Sequence, residues 1–527
     1  MSLGSLVRRK FVGCLACVCL LIAVGLGLTG QGVSQPTQRS SYDVFSQLPF
    51  GLPMSQVAPT PEHYQPVADW VGRLILPQQR EVQAQPGDWV WFEVLHAPIG
   101  GWVGKTMTLT WQTTPALDSY VSLVARDITF RDETEISQQQ GNVHPARLDG
   151  WRQVGPLQSL AGARPHDDVL VALSGVQFRG GETLTIDQPP TQIAERFYGL
   201  VKFDASVPGD TACQSTCQGF RVRHYRPETR QFDGASETVY LPELPAINGL
   251  QQFSFAQIEN SPAGEAGWYI YGSPNARGQF VVRAIAPRAL FELQARQTIT
   301  DRDAGLNYIN FGNWRKTRDR KGTLNTVQLG KPDWQEGDQG LVLHIFGGIG
   351  GEQGEPPPIV ATVTGHFSYG IATVVRDRLT QDLRFDIDYH QIYAHNPNGI
   401  VAGKLSWAEY MGNLQRGWLG TRPVSDVIIK LEALTETYRG NPVEAQASAQ
   451  PGKKPVTFSI NPLATLQQQL QIMAARYRTG DGTGAAVVTP AQSCIQDSSQ
   501  ALYETIQLIE AQVRDLPTAD RSLWLSP

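Results

Sequence analysis

The chain has 527 residues, enough for roughly two to four domains of ordinary size. Hydrophobic residues make up 41% and charged residues 18%, so most of the chain can bury a core, and a net charge of -5 argues against a dedicated nucleic-acid binder. With 51 Gly and 35 Pro the composition suits many short strands joined by turns; six Cys are too few for a disulfide-dense scaffold. A single long apolar run excludes a polytopic membrane protein.

That run opens the chain. Arg8, Arg9 and Lys10 precede an uncharged stretch from Phe11 to Gly30, the pattern of an export signal. Residues 1–34 therefore read as a signal peptide cleaved near Gly32 or Ser34, or as a single uncleaved membrane anchor with its basic end in the cytoplasm. Both readings stay open, and both place the bulk of the protein outside the cytoplasm, periplasmic, extracellular or anchored. Residues 35–60, rich in Pro, Ser and Gln, read as a flexible linker.

From 61 to 290 the chain reads as mainly β. Short runs such as WVWFEVLHA, TMTLTWQ, FYGLVKFDA, GFRVRHY and GQFVVRAIA carry β-branched and aromatic residues between Gly, Pro, Asp and Asn. We expect a sandwich-like domain over 61–200 and a second, smaller β unit over 201–290. Cys213 and Cys217 lie in the loop-like DTACQSTCQGF, where an oxidising compartment favours a local disulfide. A zinc site there would need further ligands, and only His224 is near, so no metal and no cofactor is expected. Trp102, Trp111, Trp151 and Trp268 are the candidates for sugar stacking if these β units are binding modules.

Residues 291–330 form a connector. Its stretch Trp314 to Lys321 carries five positive charges against one negative, a solvated face or a contact for anionic wall polymer or lipid headgroups.

Residues 331–527 read as an α+β unit. GDQGLVLHIFGG is a buried-strand pattern after Gly337 and Asp338, and TVTGHFSYGIATVVRD and LRFDIDYHQIYAHN form a hairpin turning near Leu379. SWAEYMGNLQRG reads as a helix, SDVIIKLEAL as a strand, and 440–456 as a disordered loop. Asn461 and Pro462 open a helix with Leu463, Leu466, Leu470, Met473 and Tyr477 on one stripe. A last helix runs from Ser493 to Val513, with Ile495, Leu502, Ile506, Ile509 and Val513 expected inward.

Three residue types in this unit can do nucleophilic chemistry together. Cys494 opens the last helix, where the dipole and unpaired N–H groups should lower its pKa and stabilise an oxyanion. His366 shares a strand face with Ser368, Gly370 and Ala372, small residues past which a helix could bring a nucleophile. On the next strand Tyr389, Gln391, Tyr393 and His395 share one face, and Asp386, Asp388 and His390 share the other. Gln391 and His395 are the candidates to orient the imidazole. The Asp386, Asp388, His390 face also permits a metal reading, which a polar edge-strand face explains as well.

The order of a strand entered through Gly337-Asp338, a hairpin headed by His366 and a later helix opened by Cys494 resembles the circularly permuted branch of the NlpC/P60 papain-like superfamily. That branch includes lecithin:retinol acyltransferase-like proteins and bacterial amidases. The resemblance covers only about the last 200 residues. It implies a papain-like fold with Cys494 as nucleophile, His366 as general base and a third polar residue among Gln391 to His395. Cys494 lacks the small-residue surroundings of DCSG-type motifs, and the hairpin is longer than usual. The implied activity is a cysteine-dependent hydrolase or acyl transferase acting on amide or ester bonds in a cell-wall or membrane-associated substrate. The alternative is a non-catalytic envelope protein with a degenerate hydrolase-like domain. Nothing in the sequence sets the oligomeric state.

Overall fold

The computed structural model describes residues 60–127, 146–148, 150–164, 168–207, 217–242, 258, 264–309, 324–346, 366–392, 401–415, 424–430, 461–479 and 494–514. The readings of 1–34 and 35–59, the basic stretch 314–321 and the loop 440–456 lie outside these residues. Among the described residues no helix is long and apolar enough to cross a membrane.

The chain is β-rich, as its alternating apolar patterns require. Its first region contributes β1 (Trp70–Ile75), β2 (Trp89–His96), β3 (Thr106–Trp111), α1 (Pro115–Val124), α2 (Pro156–Ala161), β4 (Val169–Leu173) and β5 (Thr183–Ile186). Next come β6 (Phe197–Val207), β7 (Cys217–His224), β8 (Ser236–Pro242), β9 (Trp268–Pro274) and β10 (Phe280–Pro287). The C-terminal region supplies β11 (Leu324–Leu329), β12 (Gln339–Phe346), β13 (His366–Arg376), β14 (Leu383–Gln391), β15 (Gly403–Ser406) and β16 (Val424–Lys430), then α3 (Pro462–Thr479) and α4 (Cys494–Arg514).

Strands β6 to β10 close into a barrel in the order β6-β7-β8-β10-β9, with β9 returning to β6. The third and fifth strands pair parallel and the rest antiparallel, the strand order of an OB-type barrel. β6 can serve both neighbours because it is long: Phe197 to Val201 pair with β9, and Val201 to Val207 pair with β7. A bulge between Phe203 and Ala205 supplies the bend.

The remaining long strands build one 14-stranded sheet that crosses from the first region to the last. Its C-terminal part runs β11-β16-β12-β13-β14-β15, and its N-terminal part β4-β1-β2-β3-β5. The short strand Thr191–Gln192 joins them, antiparallel to β4 and parallel to β15 through Gln192 and Leu405. Helix α3 spans this seam. Leu466 and Leu470 pack with Tyr369 and Ile392, while Ile472 and Ala475 pack with Leu157 and Leu160 of α2. Asn461 caps α3 through Oδ1, which accepts from the Ala464 N–H at 3.0 Å. In its last turn Arg478 donates to the Ala402 carbonyl at 2.6 Å and to Ser159 Oγ at 2.9 Å.

The segment read as a helix over SWAEYMGNLQRG is instead the end of β15 followed by a five-residue π-helical turn, Ala408–Gly412. The turn is buried on every side and could not extend, because Asn413 leaves helical backbone and bridges to Ala284 of the barrel. Glu409 pairs with Arg164 at 3.0 Å, both side chains 3% exposed, and accepts from Asn413 Nδ2 at 2.6 Å. The Leu414 N–H donates to the Arg283 carbonyl at 2.9 Å. A Cβ on Gly412 would stand 1.8 Å from the Ile285 carbonyl oxygen, so only glycine permits this contact.

Removing the cation of a buried pair strands its partner charge. Arg164→Met should therefore lower the unfolding free energy by about 3–5 kcal/mol in urea titration. Arg164→Met/Glu409→Met should recover part of that loss, and equal stabilities for the single variant and wild type would contradict the pairing.

Candidate active site

Strands β12, β13, β14 and β16 lie side by side, and their register decides which side chains meet. His344 faces Ser368 on one neighbour and Asp426 on the other; Gly370 faces Val342 and Tyr389. One sheet face therefore gathers His366, Ser368, Gln391, Tyr389, His344 and Asp426. All six are buried.

His366 heads β13. Its Nε2 is 2.6 Å from Gln391 Oε1. An amide oxygen only accepts, so Nε2 carries the ring hydrogen and Nδ1 is the basic nitrogen. Cys494 is the first residue of α4 and is buried. Backbone groups of Phe367 and Ile495 lie near enough to its sulfur to favour the thiolate. The contact with Phe367 places the thiol at the head of β13, at the residue next to His366. The structure thus brings His366 and Gln391 into contact and sets Cys494 near the backbone of Phe367. His395 and Cys213 lie outside the described residues. Cys217 is disulfide-bonded, and its partner lies outside them too. Cys494 is free.

Two expectations about Cys494 are overturned. Its thiol pKa is raised, not lowered: burial disfavours the thiolate more than the Phe367 and Ile495 N–H groups favour it. The inward stripe of α4 is also rotated. Cys494, Ser498, Ala501, Thr505 and Val513 are buried, while Ile495 is 55% and Ile506 44% exposed. Small side chains at 498, 501 and 505 let α4 lie close to α3 and β13, a packing that apolarity alone does not encode.

The small residues on the His366 face also serve a different end. Helices α3 and α4 cover the opposite face, on Phe367 and Tyr369. Ser368 and Gly370 make room for two tyrosines: Tyr410 OH lies 3.5 Å from Ser368 Oγ, and a Cβ on Gly370 would lie 3.3 Å from the Tyr389 ring. Tyr410 comes from the π-helical turn, its ring 6.0 Å from that of His366 and 5.0 Å from that of His344. Burial holds the Tyr410 hydroxyl well above its ordinary pKa, so it stays a neutral hydrogen-bonding group.

Beneath lies a second layer that sequence reasoning missed. His344 Nδ1 is 2.5 Å from Asp426 Oδ1, and the Tyr389 hydroxyl donates to Oδ2 of the same carboxylate at 2.8 Å. His344 and Asp426 are fully buried. Their only sequence signal was a polar residue inside each of two apolar strand patterns.

The other sequence candidates disperse. Asp388 pairs with Lys404 at 2.9 Å and Asp386 lies 3.6 Å from Arg384, while His390 is buried with its pKa pushed down to about 3 by burial and by Lys404. These three do not converge as ligands. Trp111, Trp151 and Trp268 are buried core residues, and Trp102 is partly buried with Lys105 Nζ 4.4 Å from its ring centre.

No family model, no curated protein and no solved structure matches the chain.

Asp426→Ala leaves two buried donors without their shared acceptor and should cost about 3 kcal/mol, against about 1 kcal/mol for Tyr389→Phe. Urea titration of both variants checks the ranking; a loss at Asp426 below about 0.5 kcal/mol would show the carboxylate is not structural.

Proposed function

We propose that this chain is a cysteine-dependent hydrolase or acyl transferase of papain-like architecture in its C-terminal unit, acting outside the cytoplasm on an amide or ester bond. The observation that supports the reading is the His366–Gln391 contact at the head of β13, with Cys494 opening α4 near the backbone of the adjoining Phe367. Structural cysteines need no imidazole held in one tautomer beside them.

The chemistry follows from the donors and acceptors. Gln391 holds the Nε2 hydrogen of His366, so Nδ1 takes the proton from the Cys494 thiol. The sulfur bonds to the substrate carbonyl carbon, and the carbonyl electron pair moves to oxygen. Backbone N–H groups at the start of α4 are placed to receive that oxyanion. The tetrahedral species collapses, the imidazolium gives its proton to the departing amine or alcohol, and a thioester on Cys494 remains. Water or an acceptor alcohol or amine then attacks the thioester, with His366 again as base. Because burial raises the thiol pKa, the resting form is a thiol and His366 acts as a true general base.

The basic n-region and apolar run at 8–30 support export, and hence a cell-wall or membrane-associated substrate.

Alkylation of the Cys494 peptide, followed by mass spectrometry, tests the pair. The wild type should react already at neutral pH, whereas His366→Ala should react only at the alkaline pH where the thiol, its pKa raised by burial, ionises unaided. Near pH 7 His366→Ala should react at least about 100-fold more slowly, with Gln391→Leu in between. Coincident pH profiles for wild type and His366→Ala would end the hydrolase reading.

A further inference from the structure

A second convergence of chemical groups lies at one mouth of the barrel, away from Cys494. The chain enters the barrel through a short turn, in which the Tyr64 N–H donates to the Pro61 carbonyl, and the strand Gln65–Pro66 then pairs with the start of β6. Tyr64 plugs the mouth, its ring stacked on Phe280 at 3.8 Å. His63, just before it and half-buried, has its ring 4.0 Å from that of His224, the last residue of β7. Glu237 approaches from β8.

Three donors meet one carboxylate oxygen there. Glu237 Oε1 lies 2.9 Å from His63 Nε2, 2.6 Å from His224 Nε2 and 2.7 Å from the Tyr64 hydroxyl. The two Nε2 atoms and the carboxylate oxygen all lie within 4.8 Å of one another. A carboxylate oxygen offers about two lone-pair sites, so three donors crowd one oxygen more than hydrogen bonding needs. The same two ring nitrogens and oxygen could instead share one cation.

We propose that His63, His224 and Glu237 form a binding site for a divalent transition metal, zinc foremost. Two imidazoles and one carboxylate are a ligand set that zinc takes with a fourth position open, and nitrogen donors disfavour calcium and magnesium. Metal bonds of about 2.1 Å in tetrahedral geometry set ligand atoms roughly 3.4 Å apart. The present separations of 2.6 and 2.9 Å therefore need to open by about 0.8 and about 0.5 Å. Each imidazole gives its Nε2 hydrogen to water and takes one at Nδ1, so that it binds through Nε2 as the other neutral tautomer. Tyr64 then keeps its hydrogen bond to the carboxylate as an orienting partner of the ligand.

The scaffold is built for close approach. A Cβ on Gly199 would stand 2.8 Å from the Tyr64 ring and 3.3 Å from His224 Cε1, so glycine at this strand position leaves room for both rings. His224 is 2% exposed and set rigidly on β7, whereas His63 and Glu237 are 27% and 24% exposed and give an ion access. His63 lies before the first barrel strand and the other two within the barrel, so the ion would pin the entering segment across the mouth.

The experiment uses the exported chain, treated with chelator, dialysed and titrated with Zn2+ by calorimetry, with Co2+ absorption as a second readout. One zinc per chain, a visible band from Co2+ typical of four-coordinate geometry, and no response to Mg2+ or Ca2+ are expected. His63→Ala and Glu237→Gln should each lower zinc affinity at least about 100-fold, and Tyr64→Phe about 10-fold. His63 is partly exposed, so its variant should keep the near-ultraviolet circular dichroism of the wild type. Cys494→Ser should bind zinc as the wild type does. Absence of saturable binding, unchanged affinity in folded His63→Ala, or loss of binding in Cys494→Ser would each overturn the assignment.

Discussion

The buried pair between Arg164 and Glu409 is the contact from which the rest of the architecture is best understood. Arg164 belongs to the first region and Glu409 to the C-terminal one, and Asn413, bonded to the same carboxylate, bridges to the barrel strand β10. Three parts of the chain therefore meet within one five-residue turn. A buried ion pair contributes little net stability, but it tolerates only one arrangement, because any other leaves a charge desolvated and alone. Its value here is geometric. The turn that holds Glu409 also carries Tyr410, whose hydroxyl reaches Ser368 on the strand headed by His366. Placement of the barrel against the sheet and placement of the tyrosine beside the imidazole are thus one constraint.

The same logic explains why the candidate catalytic groups sit at strand and helix ends. A strand fixes side-chain direction to alternate faces, and antiparallel pairing fixes which residue stands opposite which. Gln391 reaches His366 because Tyr369 pairs with His390, which puts Gln391 level with Ser368. A slip of one residue would present His390 instead, a ring that burial keeps neutral and that has no hydrogen-bond partner on either nitrogen. Cys494 joins through backbone, not side chain: the main chain at Phe367, the second residue of the strand, is the group that favours its thiolate.

How much of this was legible in the sequence depends on the kind of information each feature needs. The His366 and Leu383 strands were readable from period-two alternation with a turn at Asp377, whose carboxylate accepts from the Leu379 and Thr380 N–H groups. Gln391 was readable as a candidate because an amide on the antiparallel neighbour strand, of one parity with Tyr389, can receive the ring N–H of an imidazole. The π-helical turn was not readable: Ala408 to Gly412 has helical propensity, and only the carbonyl of Ile285, too close for any side chain at 412, shows why it stops. Nor was the inward face of α4, where Ser498 and Thr505 look polar and Ile495 and Ile506 look buried. Helix faces chosen for closeness of approach favour small residues over apolar ones, and periodicity of hydrophobicity is blind to that choice. His63 and Glu237 were invisible for another reason. They are about 170 residues apart, and only the closure of the barrel makes them neighbours.

Burial at Cys494 acts in two directions, and their balance decides the kind of catalysis the site could support. Desolvation raises the thiol pKa, which removes the preformed thiolate that a helix start would otherwise favour. The same low dielectric strengthens every hydrogen bond to a charge that forms later, including those from Phe367 and Ile495 and from the helix start to an oxyanion. A site with a stable resting ion pair gains reactivity at once but is exposed to every electrophile in an oxidising compartment. A buried thiol beside a base held in one tautomer is reactive only when substrate supplies the acceptor for its electrons. With Cys494 the one free cysteine among the described residues, such an arrangement would protect a nucleophile without a second thiol to restore it.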